Sequence, residues 1–267
     1  MAAAFAVGLA LAGCAGGPAP DRTGAGATTA EVRIAAAADL KFALEEVVAL
    51  LQERHPALRI TTTYGSSGTF LSQISNGAPF DVFLSADLTY PRQLVEEGLA
   101  DEEDLFPYAV GRLVLWAGDE GGLDPADGLP ALASDEVRRV AIANPAHAPY
   151  GVAAVEALRS AGVLDEVEGK LVYGENVAQA AEFVQSGNTD AGIVALSLVR
   201  SDPLRGVGAW AEVPLDAYPR LDQGGVVLGS ARDPEAAALV RDAILSPDGA
   251  DILARYGFSL PDATDKG

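Results

Sequence analysis

Short apolar segments alternate with amphipathic helical patterns along most of the chain, and this alternation constrains the fold more than any other feature. Residues 32–37 form an apolar strand pattern, and apolar residues recur at helical spacing in the segment that follows. Two further strand patterns, at residues 58–64 and 81–85, are each followed by a helical pattern. This order predicts βαβ units, with a mainly parallel sheet flanked by helices.

The second half of the chain repeats this order. Strand patterns at residues 139–143, 170–173 and 191–195 alternate with helical patterns, and a strand pattern at residues 224–229 precedes two final helices. Residues 108–117 form a longer strand pattern, which suggests a strand that crosses between two lobes and acts as a hinge. The expected fold class is α/β, with two lobes and a cleft between them.

The N-terminal segment has the pattern of an export signal. Residues 1–14 are uncharged and mostly apolar, are too few to span a bilayer, and end in small residues. The segment closes with Leu11-Ala12-Gly13-Cys14, which resembles the lipobox of bacterial lipoproteins and implies lipidation of Cys14. The alternative is a buried cysteine in a helix. Residues 15–30, rich in Gly, Pro, Ala and Thr without periodicity, are expected to form a flexible tether.

The remaining length suits two lobes of roughly 100–130 residues each. We expect one lobe to contain residues 31–113 and 222–267 and the other to contain residues 114–221.

The charge balance argues against several classes of partner. The chain has 38 acidic and 18 basic residues and a formal net charge of −20. Nucleic acids and anionic membrane surfaces are therefore poor partners, because both would be repelled. If the ligand is a small anion, local dipoles must hold it against a repulsive overall field.

Four predicted strand-to-helix corners carry little charge and are rich in N–H and hydroxyl donors. In parallel α/β sheets, such corners lie at the carboxyl ends of the strands, where ligands bind. A helix N-terminus also presents free N–H groups and the positive end of the helix dipole, which together favour an anion. The corners are residues 38–40, 66–68, 149–151 and 175–177, two from each half, so a cleft would bring them face to face.

In these corners and the segments around them, the chain resembles the periplasmic molybdate-binding proteins of ABC transporters, which have the type II periplasmic binding fold. The resemblance implies an extracytoplasmic, monomeric solute-binding protein without enzymatic activity or cofactor, which captures molybdate or tungstate and delivers it to a membrane permease. Without lipidation the protein would be periplasmic. The matching segments are Ala35-Ala36-Ala37-Ala38-Asp39-Leu40, Tyr64-Gly65-Ser66-Ser67-Gly68-Thr69, Gln73-Ile74, residues 77–87, residues 144–151 and Ala254-Arg255-Tyr256-Gly257-Phe258.

The resemblance also implies which residues bind the ligand. Members of the family hold the tetrahedral dianion through serine hydroxyls and backbone N–H groups, without a cation. This role falls on Ser67, on the position of Asp39, on the backbone of Tyr150 and on the N–H of Val177, with Ser66 as a secondary candidate. Hydrogen bonds to an ionised acceptor are roughly twice as strong as neutral ones, so a dianion needs no lysine.

Two positions depart from the family pattern. Asp39 stands where many members have serine, and Ala195 stands where some have a tyrosine. Since a carboxylate beside a dianion is unfavourable, we expect Asp39 to cap the first helix with its side chain turned away. The alternative is that Asp39 accepts a proton from the ligand and selects a protonated oxyanion such as hydrogen phosphate or hydrogen arsenate. Whether the Tyr150 hydroxyl fills the gap at Ala195 stays open.

Other functions have weaker support. A binding protein of the same fold for phosphate, arsenate or sulfate is the nearest alternative. A serine esterase is more remote, because Gly65-Ser66-Ser67-Gly68 is not a Gly-x-Ser-x-Gly elbow and the chain has only two histidines to act as a base. No resident metal is expected, because the pattern offers no cluster of Cys and His.

Overall fold

The computed structural model describes residues 1–2, 30–118 and 122–261. Cys14 and the expected tether lie outside these residues, except for Ala30, which is the first residue of β1 rather than the end of a tether. The strands are β1 (Ala30–Ala37), β2 (Leu58–Gly65), β3 (Val82–Ser85), β4 (Leu105–Gly111), β5 (Leu113–Ala117), β6 (Val140–Ala143), β7 (Leu171–Gly174), β8 (Ala191–Ala195), β9 (Ala209–Glu212) and β10 (Leu221–Val227). The α-helices are α1 (Lys41–Arg54), α2 (Ser67–Ser75), α3 (Thr89–Glu96), α4 (Pro149–Ser160), α5 (Leu164–Val167), α6 (Val177–Gln185), α7 (Leu196–Val199), α8 (Pro234–Leu245) and α9 (Pro247–Arg255).

The strands form two five-stranded sheets, with orders β2-β1-β3-β10-β4 and β7-β6-β8-β5-β9. In the first sheet β1 is parallel to β2 and β3, whereas β10 is antiparallel to β3 and β4. In the second, β6 is parallel to β7 and β8, whereas β5 is antiparallel to β8 and β9. Each sheet is therefore mixed, with its parallel half formed by the expected βαβ units. We call residues 30–111 and 221–261 the first lobe, and residues 113–118 and 122–220 the second lobe.

The chain crosses between the lobes at two neighbouring points. The expected single strand at residues 108–117 is two strands, because the chain leaves the first sheet at Gly111 and enters the second at Leu113. The return crossing ends at Leu221, which pairs with Gly111. The two crossings therefore lie side by side and form a hinge.

Alternation along β1 shows how the sequence pattern builds the core. Val32, Ile34 and Ala36 belong to a buried cluster with residues of α1, α8 and α9, whereas Ala35 belongs to a cluster with residues of α2 and α3. Successive side chains of a strand point to opposite faces, so one apolar segment serves two helical layers. A third buried cluster, which includes Trp116, fills the second lobe.

The structure adds elements that the sequence patterns did not indicate. β9 is a short edge strand whose residues are mostly exposed, so it lacks an apolar pattern. Short 3-10 helices also occur, of which Ala38–Leu40 immediately precedes α1. Among the described residues, no helix has both the length and the apolar character needed to cross a membrane.

Candidate functional site

A small cavity lies between the lobes, where the four predicted corners meet. The space between its protein atoms, part of which is open to solvent, is about 190 Å³. None of the described residues that line it is Lys, Arg or His. The lining residues are Ala37, Ala38, Asp39, Gly65, Ser66, Ser67, Ala86, Ala148, Pro149, Tyr150 and Val177. All five candidates from the sequence, Asp39, Ser66, Ser67, Tyr150 and Val177, are thus brought together, although their role as ligands stays a prediction.

Ser67 offers donors to this cavity from the start of α2. The residue is 1% exposed, and its Oγ accepts a hydrogen bond from the Ala86 N–H at 3.0 Å. This bond fixes the oxygen and leaves the hydroxyl proton for another acceptor. Ser66 is the N-cap of α2 but makes no side-chain cap bond, and the first N–H groups of a helix have no partner within it. The Ser67 N–H is therefore a second available donor.

Val177 holds a comparable position at the start of α6. The N-cap residue Asn176 accepts hydrogen bonds through Oδ1 from Ala178 N–H at 3.0 Å and Gln179 N–H at 3.1 Å. These are the donors that an N-cap normally satisfies. Val177 precedes both, so its N–H is left at the cavity wall.

Tyr150 lies in the first turn of α4, one residue after Pro149. Ala148, the N-cap of α4, has no polar side chain, so the Tyr150 N–H is not capped. The phenol points to the hinge: its hydroxyl lies 3.3 Å from Gln223 Nε2, and a Cβ added at Gly111 would lie only 2.3 Å from Tyr150 Oη. A side chain at Gly111 would displace this tyrosine.

The position of the Asp39 side chain contradicts the expectation of a helix cap. Asp39 lies within the 3-10 helix that precedes α1, and no side chain caps either helix. The residue is 1% exposed. Its Oδ2 accepts a hydrogen bond from Gln223 Nε2 at 2.5 Å, and its Oδ1 has no hydrogen-bond partner in the described part of the chain. The carboxyl therefore faces inward, because the extra 3-10 turn carries Asp39 past the cap position.

Burial changes the acid strength of this group. Loss of solvent raises the pKa of the Asp39 carboxyl to about 6, although the nearby donor groups of Gln223, Tyr150 and the Asp39 and Leu40 backbone act in the opposite direction. Burial, followed by the negative charge of Asp39, also raises the pKa of Tyr108 and of Tyr150 well above the usual value. Gln223 bridges these groups, since the Tyr108 hydroxyl lies 3.0 Å from its Oε1.

Gln223 is a residue that the sequence analysis missed. Its only signal was a polar amide inside the segment that forms β10, where it is fully buried. Buried amides are normally hydrogen-bonded, so this pattern could have indicated a polar network.

The loop before α4 also holds the lobes together. The His147 carbonyl oxygen accepts hydrogen bonds from the Ser66 hydroxyl and from the Gly68 N–H, the latter at 2.9 Å. Across the same interface, the Ser197 hydroxyl donates to the Asp39 carbonyl oxygen at 2.7 Å. The Ser66 proton is therefore committed to a contact between the lobes, and Ser66 is not free to donate it into the cavity.

Two observations concern the serine esterase and the resident metal considered above. The hydroxyls of Ser66 and Ser67 contact backbone groups in the bonds observed, not an imidazole. No three His, Cys, Asp or Glu side chains of the described residues are grouped so that they could hold a metal ion.

Comparison with known proteins places this geometry in context. A family model described as bacterial extracellular solute-binding protein matches residues 32–259. The chain is 39% identical over 235 residues to a molybdate-binding protein of Azotobacter vinelandii. This match covers 88% of this chain and 92% of the relative. It is also 38% identical over 257 residues to a molybdate-binding protein of Rhodobacter capsulatus. That match covers 96% of this chain and 94% of the relative.

The similarity extends to three dimensions. The solved structure of the periplasmic molybdate-binding protein of Azotobacter vinelandii matches with a TM-score of 0.81 and 31% sequence identity. The match covers 86% of this chain and 99% of that chain.

Proposed function

We propose that this chain, which belongs to the family of bacterial extracellular solute-binding proteins, captures molybdate between its lobes and delivers it to a membrane permease. Tungstate is expected to bind as well, because its tetrahedral dianion has nearly the same size and charge. The names of the two relatives above support the choice of molybdate.

The observation that carries the proposal is the convergence of several helix starts on one cavity. The starts of α2, α4 and α6 supply residues to its wall, and the 3-10 helix before α1 supplies a fourth edge. Each helix start contributes N–H groups and roughly half a positive charge from its dipole. This arrangement attracts an anion without placing a cation in the site, which suits a protein that must later release the ligand.

The mechanism follows from the hinge. In an open form, each lobe would present its own corners to solvent. Rotation about the paired crossings at Gly111 and Leu221 would then bring donors from both lobes to one ligand. The bond from Gly68 to His147 would form at the same time and help to hold the lobes together.

Isothermal titration calorimetry with molybdate, tungstate, sulfate and phosphate tests the proposal. We expect sub-micromolar binding of molybdate and tungstate and much weaker binding of sulfate, whose shorter bonds leave it too small to reach donors on both lobes. Sub-micromolar binding of phosphate without any response to molybdate would overturn the assignment.

A protonated oxyanion is the second candidate, and Asp39 is the observation that favours it. A carboxylate that lines the cavity could accept a hydrogen bond from hydrogen phosphate or hydrogen arsenate. The same titrations separate this possibility from molybdate binding.

The remaining features concern the cellular setting. The protein acts outside the cytoplasm as a monomer, without enzymatic activity, and is anchored to the membrane by lipidation of Cys14. Replacement of Cys14 by serine should move the protein from the membrane fraction to the soluble fraction, whereas unchanged fractionation would refute the anchor. Light scattering coupled to size exclusion tests the monomer, and absence of ester hydrolysis by the purified protein tests the non-enzymatic role.

A further inference from the structure

The Asp39 carboxyl is a buried acid in the wall of the cavity, and one of its oxygens has no partner. Oδ2 is occupied by the Gln223 amide, whereas Oδ1 has no hydrogen-bond partner in the described part of the chain. A buried oxygen without a partner is costly, so a group that binds in the cavity gains by pairing with it.

The surroundings of Asp39 offer no positive charge. The titratable groups that face it are the phenols of Tyr150, on α4, and Tyr108, on β4, with Tyr218 next to Tyr150. The Gln223 amide on β10 donates to its carboxyl, and the Ser197 hydroxyl on α7 donates to its backbone carbonyl oxygen. Among these described neighbours none is a cation, so an ionised Asp39 would repel a bound dianion and offset part of the attraction from the helix dipoles.

We propose that Asp39 determines ligand specificity by coupling oxyanion capture to the uptake of one proton, its neutral carboxyl donating from Oδ1 to a ligand oxygen. This inference rests on the proposed function, because it needs a dianion in the cavity. The proton comes from solvent: one carboxylate, one molybdate dianion and one proton combine into the complex, with a new O–H bond on Asp39. The side chain thereby takes over the donor role that a serine hydroxyl would have.

The direction of the pH dependence follows from burial. The pKa of Asp39 is already raised to about 6 with the lobes together, and a dianion beside it raises the pKa further. A state in which an acid has a higher pKa binds the proton more tightly, so that state is favoured as the pH falls. Molybdate should therefore bind more tightly in mildly acidic solution than in alkaline solution.

Hydrogen phosphate would behave differently. It carries its own proton, which could bond to an ionised Asp39, so its binding needs no proton from solvent. The number of protons taken up therefore distinguishes the two ligand classes at the same residue.

Calorimetry of the full chain with sodium molybdate, in buffers of different ionisation enthalpy, measures this number. At about pH 7.5 we expect uptake approaching one proton per molybdate, and an affinity that falls by up to about tenfold per pH unit between about pH 7 and pH 8. Asp39→Asn should take up no proton and bind with an affinity independent of pH over this range. Asp165→Asn, which removes an exposed carboxylate from α5, is the matched control and should behave as wild type.

The outcomes separate this inference from the proposed function. Molybdate binding by the wild-type protein without proton uptake would overturn the role of Asp39 and leave the function intact. Absence of molybdate binding would overturn both. The wild-type proton count needs no variant, and Asp39→Ser provides a second substitution if Asp39→Asn does not fold.

Discussion

The Gly68 N–H in the first lobe donates a hydrogen bond to the His147 carbonyl oxygen in the second lobe, at 2.9 Å. The Ser66 hydroxyl donates to the same oxygen. Both donors belong to the corner that places Ser67 at the cavity, and His147 belongs to the loop that leads to Tyr150. Contact between the lobes and assembly of the candidate site therefore depend on the same two segments.

Gly68→Ala should weaken ligand binding by disturbing this contact. A Cβ at Gly68 would lie 2.7 Å from the His147 carbonyl oxygen, so the backbone must move and the hydrogen bond lengthen. We expect a loss of at least about 1 kcal/mol in molybdate affinity by calorimetry, comparable to one hydrogen bond. Gly169→Ala is the control, because a Cβ there meets no atom within 4 Å. Equal affinities of both variants would contradict this account.

Ser67→Ala should weaken molybdate binding directly. The Ala86 N–H holds Ser67 Oγ in place, so the hydroxyl is already oriented when the ligand arrives. Loss of a hydrogen bond to a charged group costs about 1.5–3 kcal/mol, roughly a tenfold to hundredfold weaker dissociation constant. Ser72→Ala, on an exposed position of the same helix, should bind as wild type. An unchanged affinity in Ser67→Ala would reduce Ser67 to a turn residue.

Substitutions at Asn176 should separate helix stability from ligand binding. Asn176→Ala removes the cap of α6 and should lower the free energy of unfolding by about 1 kcal/mol, measured with chemical denaturant. It should also weaken molybdate binding, because the Val177 N–H loses its fixed direction. Asn176→Asp keeps a capping oxygen and should keep the stability, but its negative charge beside the cavity should still weaken binding. If Asn176→Asp binds molybdate like wild type, Val177 does not contact the ligand.

Stability without ligand should depend on pH through Asp39. The folded protein holds the Asp39 proton more tightly than the unfolded chain, because the pKa rises from 3.8 to about 6 on burial. This contribution is fully present below about pH 4 and is lost as the pH rises through about 6. Asp39→Asn should therefore increase the free energy of unfolding at neutral pH by on the order of 3 kcal/mol, and by much less at about pH 4. Denaturant unfolding at both pH values checks this, and an equal effect at both would contradict it.

The corners could be predicted from the sequence because they depend on local patterns. Asn176, Pro149 and the serines around Ser67 mark helix starts by their own chemistry, and parallel strands place those starts at one edge of a sheet. The choice of molybdate as the expected ligand came from the resemblance to a family, because local patterns indicate only that the site suits an anion.

The direction of the Asp39 side chain could not be predicted, because it depends on distant residues. Gln223, its hydrogen-bond partner, is 184 positions away in the sequence. The partner of the Ser66 hydroxyl could not be predicted for the same reason, since its acceptor, the His147 carbonyl, is 81 positions away and is a backbone atom with no sequence signature. Both contacts exist only in the folded chain, and the one from Ser66 also needs the two lobes to come together.

The pairing of Gly111 with Leu221 has a further consequence. Because the two crossings are neighbours in one sheet, the lobes can rotate about a single line but cannot slide past each other. The measured dissociation constant then equals the intrinsic constant divided by the fraction of molecules in the binding-competent arrangement. Substitutions along this line, which touch no ligand, could therefore shift the concentration range in which the protein scavenges its anion while its selectivity stays the same.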